Sequence, residues 1–366
     1  MLIDFKAPFV RVEIPLPLNY YGSIYYYSEN GSQTAGSSCG YGLTSKISAM
    51  GEYLEREFLY HGVPPEGRYS SVELTSEETT LIPIPIPFEN LEYLTVRVWN
   101  SKRRVRIPRS LIYLNSNNEL YSHFRDSSGC ALGPNPQNAK IAACLEFIER
   151  QSLIISWHTK VYQCKVASSD LLNLCDSMRR RLCERFLDSG EIIVLLNTIP
   201  GVSCYSGIML YRSKLDVKYA VSSGCALSLS SLINKLIGEL WQSYLFIYNN
   251  VNGNNVTERD YYKANFLNMN HYQTVDLWGA SESELPIAEI ECCKPYNEED
   301  FYRSLTKLNA RLYLYESETQ DNFYFCKLIS PDFFLHMSAF HTKSIPQYCR
   351  DNFNIRALRD LELPFP

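Results

Sequence analysis

Apolar residues recur at three- and four-residue spacing in three separate stretches of the chain, and each stretch predicts an amphipathic helix. In the first, Ile47, Met50, Tyr53, Leu54 and Phe58 mark the inward face, with Thr44 or Ser45 placed to cap the start. In the second, Ile141, Leu145, Ile148 and Leu153 follow Asn138 as the cap; in the third, Leu232, Leu236, Leu240 and Leu245 follow a serine-rich start. Between them lie short runs rich in β-branched and aromatic residues: "EYLTVRVWN" (92–100), "EIIVLLNTI" (191–199) and "IMLYRSKLDVKYAVSS" (208–223). Such runs predict strands, so the expected fold class is α+β. The tyrosine cluster "YYGSIYYY" (20–27) predicts a packed strand pair or a partner surface, "LIPIPIPFEN" (81–90) an extended linker or edge segment, and "NNVNGNNVTERD" (249–260) an exposed loop.

The three helices are variants of one unit. "SSCGYGLTSKISAMGEYLERE" (37–57), "SSGCALGPNPQNAKIAACLEFIERQ" (127–151) and "SSGCALSLSSLINKLIGELWQSY" (222–244) each run from a small-residue loop into a helix. Each helix carries a polar pair three apart: Glu52 with Glu55, Glu146 with Glu149, Glu239 with Gln242. Residues three apart share a helix face, so both members of each pair point one way. In any one helix alone, such residues read as a solvated face. Threefold recurrence among apolar neighbours, with Arg56, Arg150 and Lys235 close by, reads differently. Clustered carboxylates repel one another unless a hard cation sits among them, and magnesium carrying phosphate oxygens is the expected occupant.

Composition narrows the rest. The 366 residues are 45% apolar and 20% charged, enough to bury a sizeable core. With a net charge of −5 and no basic run longer than Arg179–Arg181, neither nucleic acid nor a membrane is expected as a partner. The N-terminus carries Asp4 and several prolines and does not read as a secretory signal, and no apolar run reaches the length of a span, so a cytoplasmic location is expected. The twelve cysteines show no C-x-x-C pair and most are expected to be reduced and buried; His336 is expected to be structural. The sequence contains no Walker-type loop, Rossmann glycine fingerprint, kinase motif or nucleophile elbow.

"SAMGEYLERE", "CLEFIERQ" and "KLIGELWQS" resemble the three signature helices of the YcaO family, which bind ATP and magnesium. The resemblance spans nearly the whole chain. "SPDFFLHM" (330–337), "ELWQSY" (239–244) and "LPFP" (363–366) are similar to segments of members that serve as the cyclodehydratase subunit of thiazole/oxazole synthetases. It implies a YcaO-type ATP-binding fold of three related strand-loop-helix units in a single domain. Residues 1–36 would form an extension, 37–244 the ATP units and 245–366 a C-terminal part. Carried onto this chain, the family's ATP-binding residues are Ser48, Glu52, Glu55, Arg56, Glu146, Glu149, Arg150, Lys235, Glu239 and Gln242. The resemblance makes Glu52, Glu55, Glu146, Glu149 and Glu239 the magnesium ligands. It also makes Pro366 catalytic, its terminal carboxylate reaching the reacting amide from a docked P-x-P tail. Two positions depart from the family pattern: Tyr41 stands in the first loop where a lysine is common, and Asn138 where a glutamate is frequent.

The implied activity is ATP-dependent formation of thiazoline and oxazoline rings in a ribosomally made precursor peptide with a leader. The 36 residues before the first unit are too few for a leader-binding domain, so a peptide-clamp partner is expected. A flavin-dependent azoline dehydrogenase is a further expected partner, within a hetero-oligomeric synthetase. Thioamide or amidine formation, or a non-catalytic scaffold role, are the alternative readings.

Overall fold

Each small-residue stretch that leads into a repeated helix contributes a β-strand, and each of these strands lies at the edge of a different sheet. The structure, a computed structural model, describes residues 9–14, 22–28, 34–40, 43–82, 87–114, 125–251, 267, 270, 284–285, 294–319, 322–337, 344–358 and 363. Strands β1 (Phe9–Ile14), β2 (Gly22–Ser28) and β3 (Ala35–Gly40) form an antiparallel sheet in that order, and helix α1 (Leu43–His61) follows β3. Next come β4 (Gly67–Tyr69), the short helix α2 (Ser76–Thr80), β5 (Leu91–Val98), β6 (Arg104–Pro108) and β7 (Cys130–Gly133), which leads into α3 (Pro136–Thr159). Then β8 (Cys164–Val166), α4 (Ser168–Leu174), α5 (Ser177–Ser189), β9 (Gly190–Leu196), β10 (Tyr205–Ser213) and β11 (Tyr219–Ala226) precede α6 (Leu229–Val251). The rest supplies β12 (Glu284–Leu285), α7 (Glu298–Lys307), β13 (Tyr313–Glu318), β14 (Tyr324–Ile329) and α8 (Gln347–Phe353).

The second sheet has the order β4-β5-β13-β14-β7, with β6 also paired to β5; the third runs β11-β10-β9-β8-β12. Much of what reads as small-residue loop is therefore strand, because the following helix rests on bare strand backbone. A Cβ at Gly36 would stand 2.2 Å from the Ala49 carbonyl oxygen, and one at Gly133 2.6 Å from the Ala139 nitrogen. Only glycine permits that approach.

Helix α3 lies between two sheets, packed on β7 and β14 and also on β10 and β11. Its buried residues, from Ala139 and Ala143 through Phe147 and Ile148 to Leu153 and Trp157, surround the axis, as in a helix enclosed on all sides. Ile141 and Leu145, expected on the inward face, are only partly buried. The cap is Asn135, whose side chain accepts from the Asn138 N–H at 2.9 Å; Pro136 presets the first turn, so Asn138 is already helical. Thr44 and Ser45 likewise lie inside α1, since β3 ends at Gly40 and the helix is under way at Leu43.

A main core joins α3, α6 and the third sheet, and a second fills a face of the second sheet around Leu59, Leu94, Ile107, Tyr113 and Phe325. Leu363 is buried in the main core. Gly22–Tyr27 of the tyrosine cluster lie on β2, paired on both sides. Asn249–Val251, expected in a loop, end α6 because its apolar face continues to Ile247; residues 252–260 and 83–86 lie outside the described residues. The described cysteines are all free, and among the described residues no helix is long and apolar enough to cross a membrane.

Candidate functional site

The repeated polar pairs meet the open edges of the three sheets. An edge strand leaves backbone N–H groups unpaired, and burying them without an acceptor is costly. Glu52 Oε2 accepts from the Ser37 N–H of β3 at 2.8 Å. Glu55 reaches the next unit: Oε2 accepts from the Leu132 N–H of β7 at 3.2 Å, and Oε1 from the Cys130 thiol at 3.4 Å. From α3, Glu149 accepts from the Ser223 hydroxyl of β11 at 2.8 Å. Gln242 on α6 closes the circuit, its amide oxygen 3.0 Å from the Cys39 nitrogen and 3.3 Å from the Ser38 nitrogen of β3. The second member of each pair thus ties its helix to the edge strand of the following unit, with the third unit returning to the first.

The first members carry cations beside them. Glu52 lies 3.6 Å from Arg56 Nη2, Glu146 3.7 Å from Arg150 Nε and Glu239 3.8 Å from Lys235 Nζ. Burial pushes Glu55 up to about 7 against the opposing pull of Arg56. It pushes Glu146 up to about 8 against Arg150, with Glu55 and Glu149 adding repulsion. Glu239 rises to about 7 in the same way, against Lys235 and with Glu149 adding. For Glu149 burial is outweighed: Lys235 at 2.6 Å, Arg150 and the Ser223 hydroxyl hold it below the ordinary carboxylate value. Lys235 is kept protonated above the usual ammonium value, because Glu149 and Glu239 outweigh its burial.

The glutamates, Arg56, Arg150, Lys235 and Gln242 are therefore brought into one linked cluster. Ser48, one turn before Glu52, is exposed, and Asn138 is exposed in the first turn of α3, two turns before Glu146. Pro366 and Tyr41 lie outside the described residues. Sequence reasoning missed the edge-strand partners Ser37, Cys130, Leu132 and Ser223; their signal was the recurring Ser-Ser-Cys and Ser-Ser-Gly-Cys. It also missed Lys327, buried on β14 opposite Cys130 in the ladder, which donates to the carbonyls of Ile112 and Asp126. Burial holds that ammonium below its usual value, with Glu146 and Glu55 among the charges that oppose the shift. A lone lysine inside an apolar strand run gives no local sign of this role. His336 is buried with Nδ1 3.8 Å from Asp126, in agreement with a structural histidine.

The donor set fits magnesium and phosphate. Five glutamates against Arg56, Arg150 and Lys235 leave an excess of negative charge, which the raised carboxyls offset by retaining protons. The Nε atoms of Arg56 and Arg150 are buried without a hydrogen-bond partner among the described residues. Carboxylate oxygens suit a hard divalent cation, and guanidinium and ammonium groups suit phosphate. Among the described residues no three metal-ligating side chains gather at one point.

The profile of the family described as YcaO cyclodehydratase, ATP- and Mg2+-binding, matches residues 40–336. The chain is 25% identical over 366 residues to the microcin B17-processing protein McbD of Escherichia coli, covering 91% of this chain and 90% of McbD. It is similar in structure to a chain of the E. coli microcin synthetase McbBCD complex with pro-MccB17 bound, with a TM-score of 0.81 at 22% identity over 100% of this chain and 99% of that one. YcaO from Methanopyrus kandleri bound with AMPPCP and Mg2+ matches with a TM-score of 0.64 at 13% identity, over 99% of this chain and 92% of that one.

Proposed function

The chain belongs to the YcaO family of ATP- and Mg2+-binding cyclodehydratases, and on that premise we propose that its three capped sheet edges form the phosphoryl-transfer centre of a peptide heterocyclase. The substrate is a ribosomally made precursor peptide in which a Cys thiol, or a Ser or Thr hydroxyl, loses its proton as it attacks the preceding amide carbon. That adduct reverts, because oxide is a poor leaving group. Transfer of the γ-phosphoryl group of ATP to the former carbonyl oxygen lets it depart as phosphate. Loss of the amide proton leaves the C=N bond of a thiazoline or oxazoline, with ADP and phosphate as co-products.

Phosphoryl transfer needs positioning and charge compensation more than a covalent nucleophile. Magnesium supplies the compensating charge when held by Glu52, Glu55, Glu146, Glu149 and Glu239. Glu149, bonded to Lys235 at 2.6 Å, fixes the ammonium as a phosphate contact. Arg56 and Arg150 offer buried Nε–H groups without a hydrogen-bond partner among the described residues, and the exposed Ser48 hydroxyl is a further donor. The observation that carries these roles is geometric: Glu55, Glu149 and Gln242 tie the three helices to the edge strands of neighbouring units, and Lys235 lies 2.6 Å from Glu149 among them.

The proposal extends to a hetero-oligomeric synthetase in the cytoplasm. A partner subunit would clamp the leader of the precursor, and a flavin-dependent dehydrogenase would oxidise azolines to azoles. Its test is reconstitution of the chain with precursor peptide and Mg-ATP, with and without the clamp subunit. Loss of one water mass per ring, matched by ADP release, is expected only in the complete mixture. Ring formation without ATP, or none in the complete mixture, overturns the reading.

A further inference from the structure

Gly51 and Gly238 occupy the same place in two of the repeated helices, directly before Glu52 and Glu239 and four residues before Glu55 and Gln242. Both lie in helix interiors, within Leu43–His61 and Leu229–Val251. Glycine there lowers stability relative to alanine, because its backbone loses more freedom on folding. Other glycines of these units answer to protein neighbours: a Cβ would stand 2.2 Å from Ala49 at Gly36, 2.6 Å from Ala139 at Gly133 and 3.1 Å from Leu232 at Gly224. At Gly51 and Gly238 a Cβ would meet nothing within 4 Å among the described residues. Packing among the described residues therefore accounts for neither. The remaining repeated helix, α3, has Leu145 at this place, partly buried against the main core, so among the three the clearance belongs to α1 and α6.

Residues three and four apart share a helix face. Gly51 thus lies on the stripe of Ser48 and Glu55, and Gly238 on that of Lys235 and Gln242. These stripes meet the edge strands through Glu55 and Gln242 and carry the Lys235 ammonium; the unsatisfied Nε of Arg56 lies on the same helix as Gly51. We infer that Gly51 and Gly238 are kept bare to admit the magnesium–triphosphate portion of ATP against the backbones of α1 and α6, which makes them positioning residues for the nucleotide. This rests on the reading of the cluster as a Mg-ATP site.

The test compares the full chain with Gly51→Ala and Gly238→Ala, by thermal unfolding without ligand and by calorimetric titration with magnesium and a non-hydrolysable ATP analogue. Each variant should unfold at the wild-type temperature or slightly above it, while nucleotide affinity falls at least about tenfold, a loss of about 1.4 kcal/mol. A lower melting temperature, or failure to fold, would show that the glycine serves the fold and would overturn the inference. Unchanged affinity in the variants, beside a wild type that binds, overturns it alone. A wild type that binds no magnesium nucleotide overturns the nucleotide reading as well.

Discussion

Glu149 and Glu239 belong to the same repeated pattern, yet neutralising them should move the stability of the chain in opposite directions. Glu149 is buried and bonded to Ser223 and Lys235. Glu149→Gln weakens both contacts and should cost about 1–3 kcal/mol in a denaturant titration. Glu239 is pushed up to about 7, so its charged form is held in the ligand-free fold at a cost relative to the unfolded chain. Glu239→Gln should leave the melting temperature at pH 8 unchanged or raised, and both variants should lose peptide-dependent phosphate release. The same carboxyls set a pH dependence. Glu55, Glu146 and Glu239 bind protons more tightly folded than unfolded, so their stabilising contribution is complete below about 4.5 and is lost as pH rises through 7 to 8. Glu149 and Glu78, both held low, lose theirs only as pH falls below the ordinary carboxylate value, outside that window. The ligand-free melting temperature should therefore fall between pH 6 and 8, and magnesium–nucleotide affinity should rise over the same interval as binding expels the protons. An affinity flat across that range, measured calorimetrically, contradicts the cluster as the metal site.

At the scale of elements, the contact between an edge strand and its helix decides whether each pair reaches its partner. Gly36→Ala would drive a methyl into the Ala49 carbonyl and the Tyr53 backbone, 2.2 and 2.3 Å away, and should destabilise the chain by about 1–3 kcal/mol. Gln242→Ala removes the acceptor for the Ser38 and Cys39 N–H groups on β3. Hydrogen exchange at those two amides should accelerate about tenfold or more, while amides in β9 and β10 keep their protection. Equal exchange in the variant would mean that another group satisfies the edge. The helices could be read from the chain because apolar spacing is a local property of each segment. The strands β3 and β7, and the end of β11 beyond Ser223, were obscured by serine and glycine, residues of low strand propensity on whose backbone a helix packs directly.

For the whole molecule, the three links from α1 to β7, α3 to β11 and α6 to β3 make a ring in which each unit holds the next. A ligand bound among α1, α3 and α6 touches every unit, so it should stabilise the chain as a whole. Magnesium with nucleotide at one hundred times its dissociation constant should add about 2.7 kcal/mol. The expected observation is one cooperative unfolding transition moved to higher temperature, and restored to its ligand-free position by a chelator. A shift confined to one phase of a split transition would show that the nucleotide engages only part of the ring.

The sequence alone determined that three related helices present paired polar residues and that the acids come in excess, because identity, order and helical period are carried by neighbouring residues. It also carried enough of the YcaO pattern to name the nucleotide and the metal. Which neighbouring strand each second member clamps was decided only in three dimensions. Glu55 with Leu132, Glu149 with Ser223 and Gln242 with Cys39 are each separated by more than seventy positions. Lys327 was placed opposite Cys130 for the same reason, through a ladder between distant strands. The split between Glu149, held low, and Glu146, raised to about 8, arises from the approach of Lys235 on another helix, a distance that no local pattern encodes.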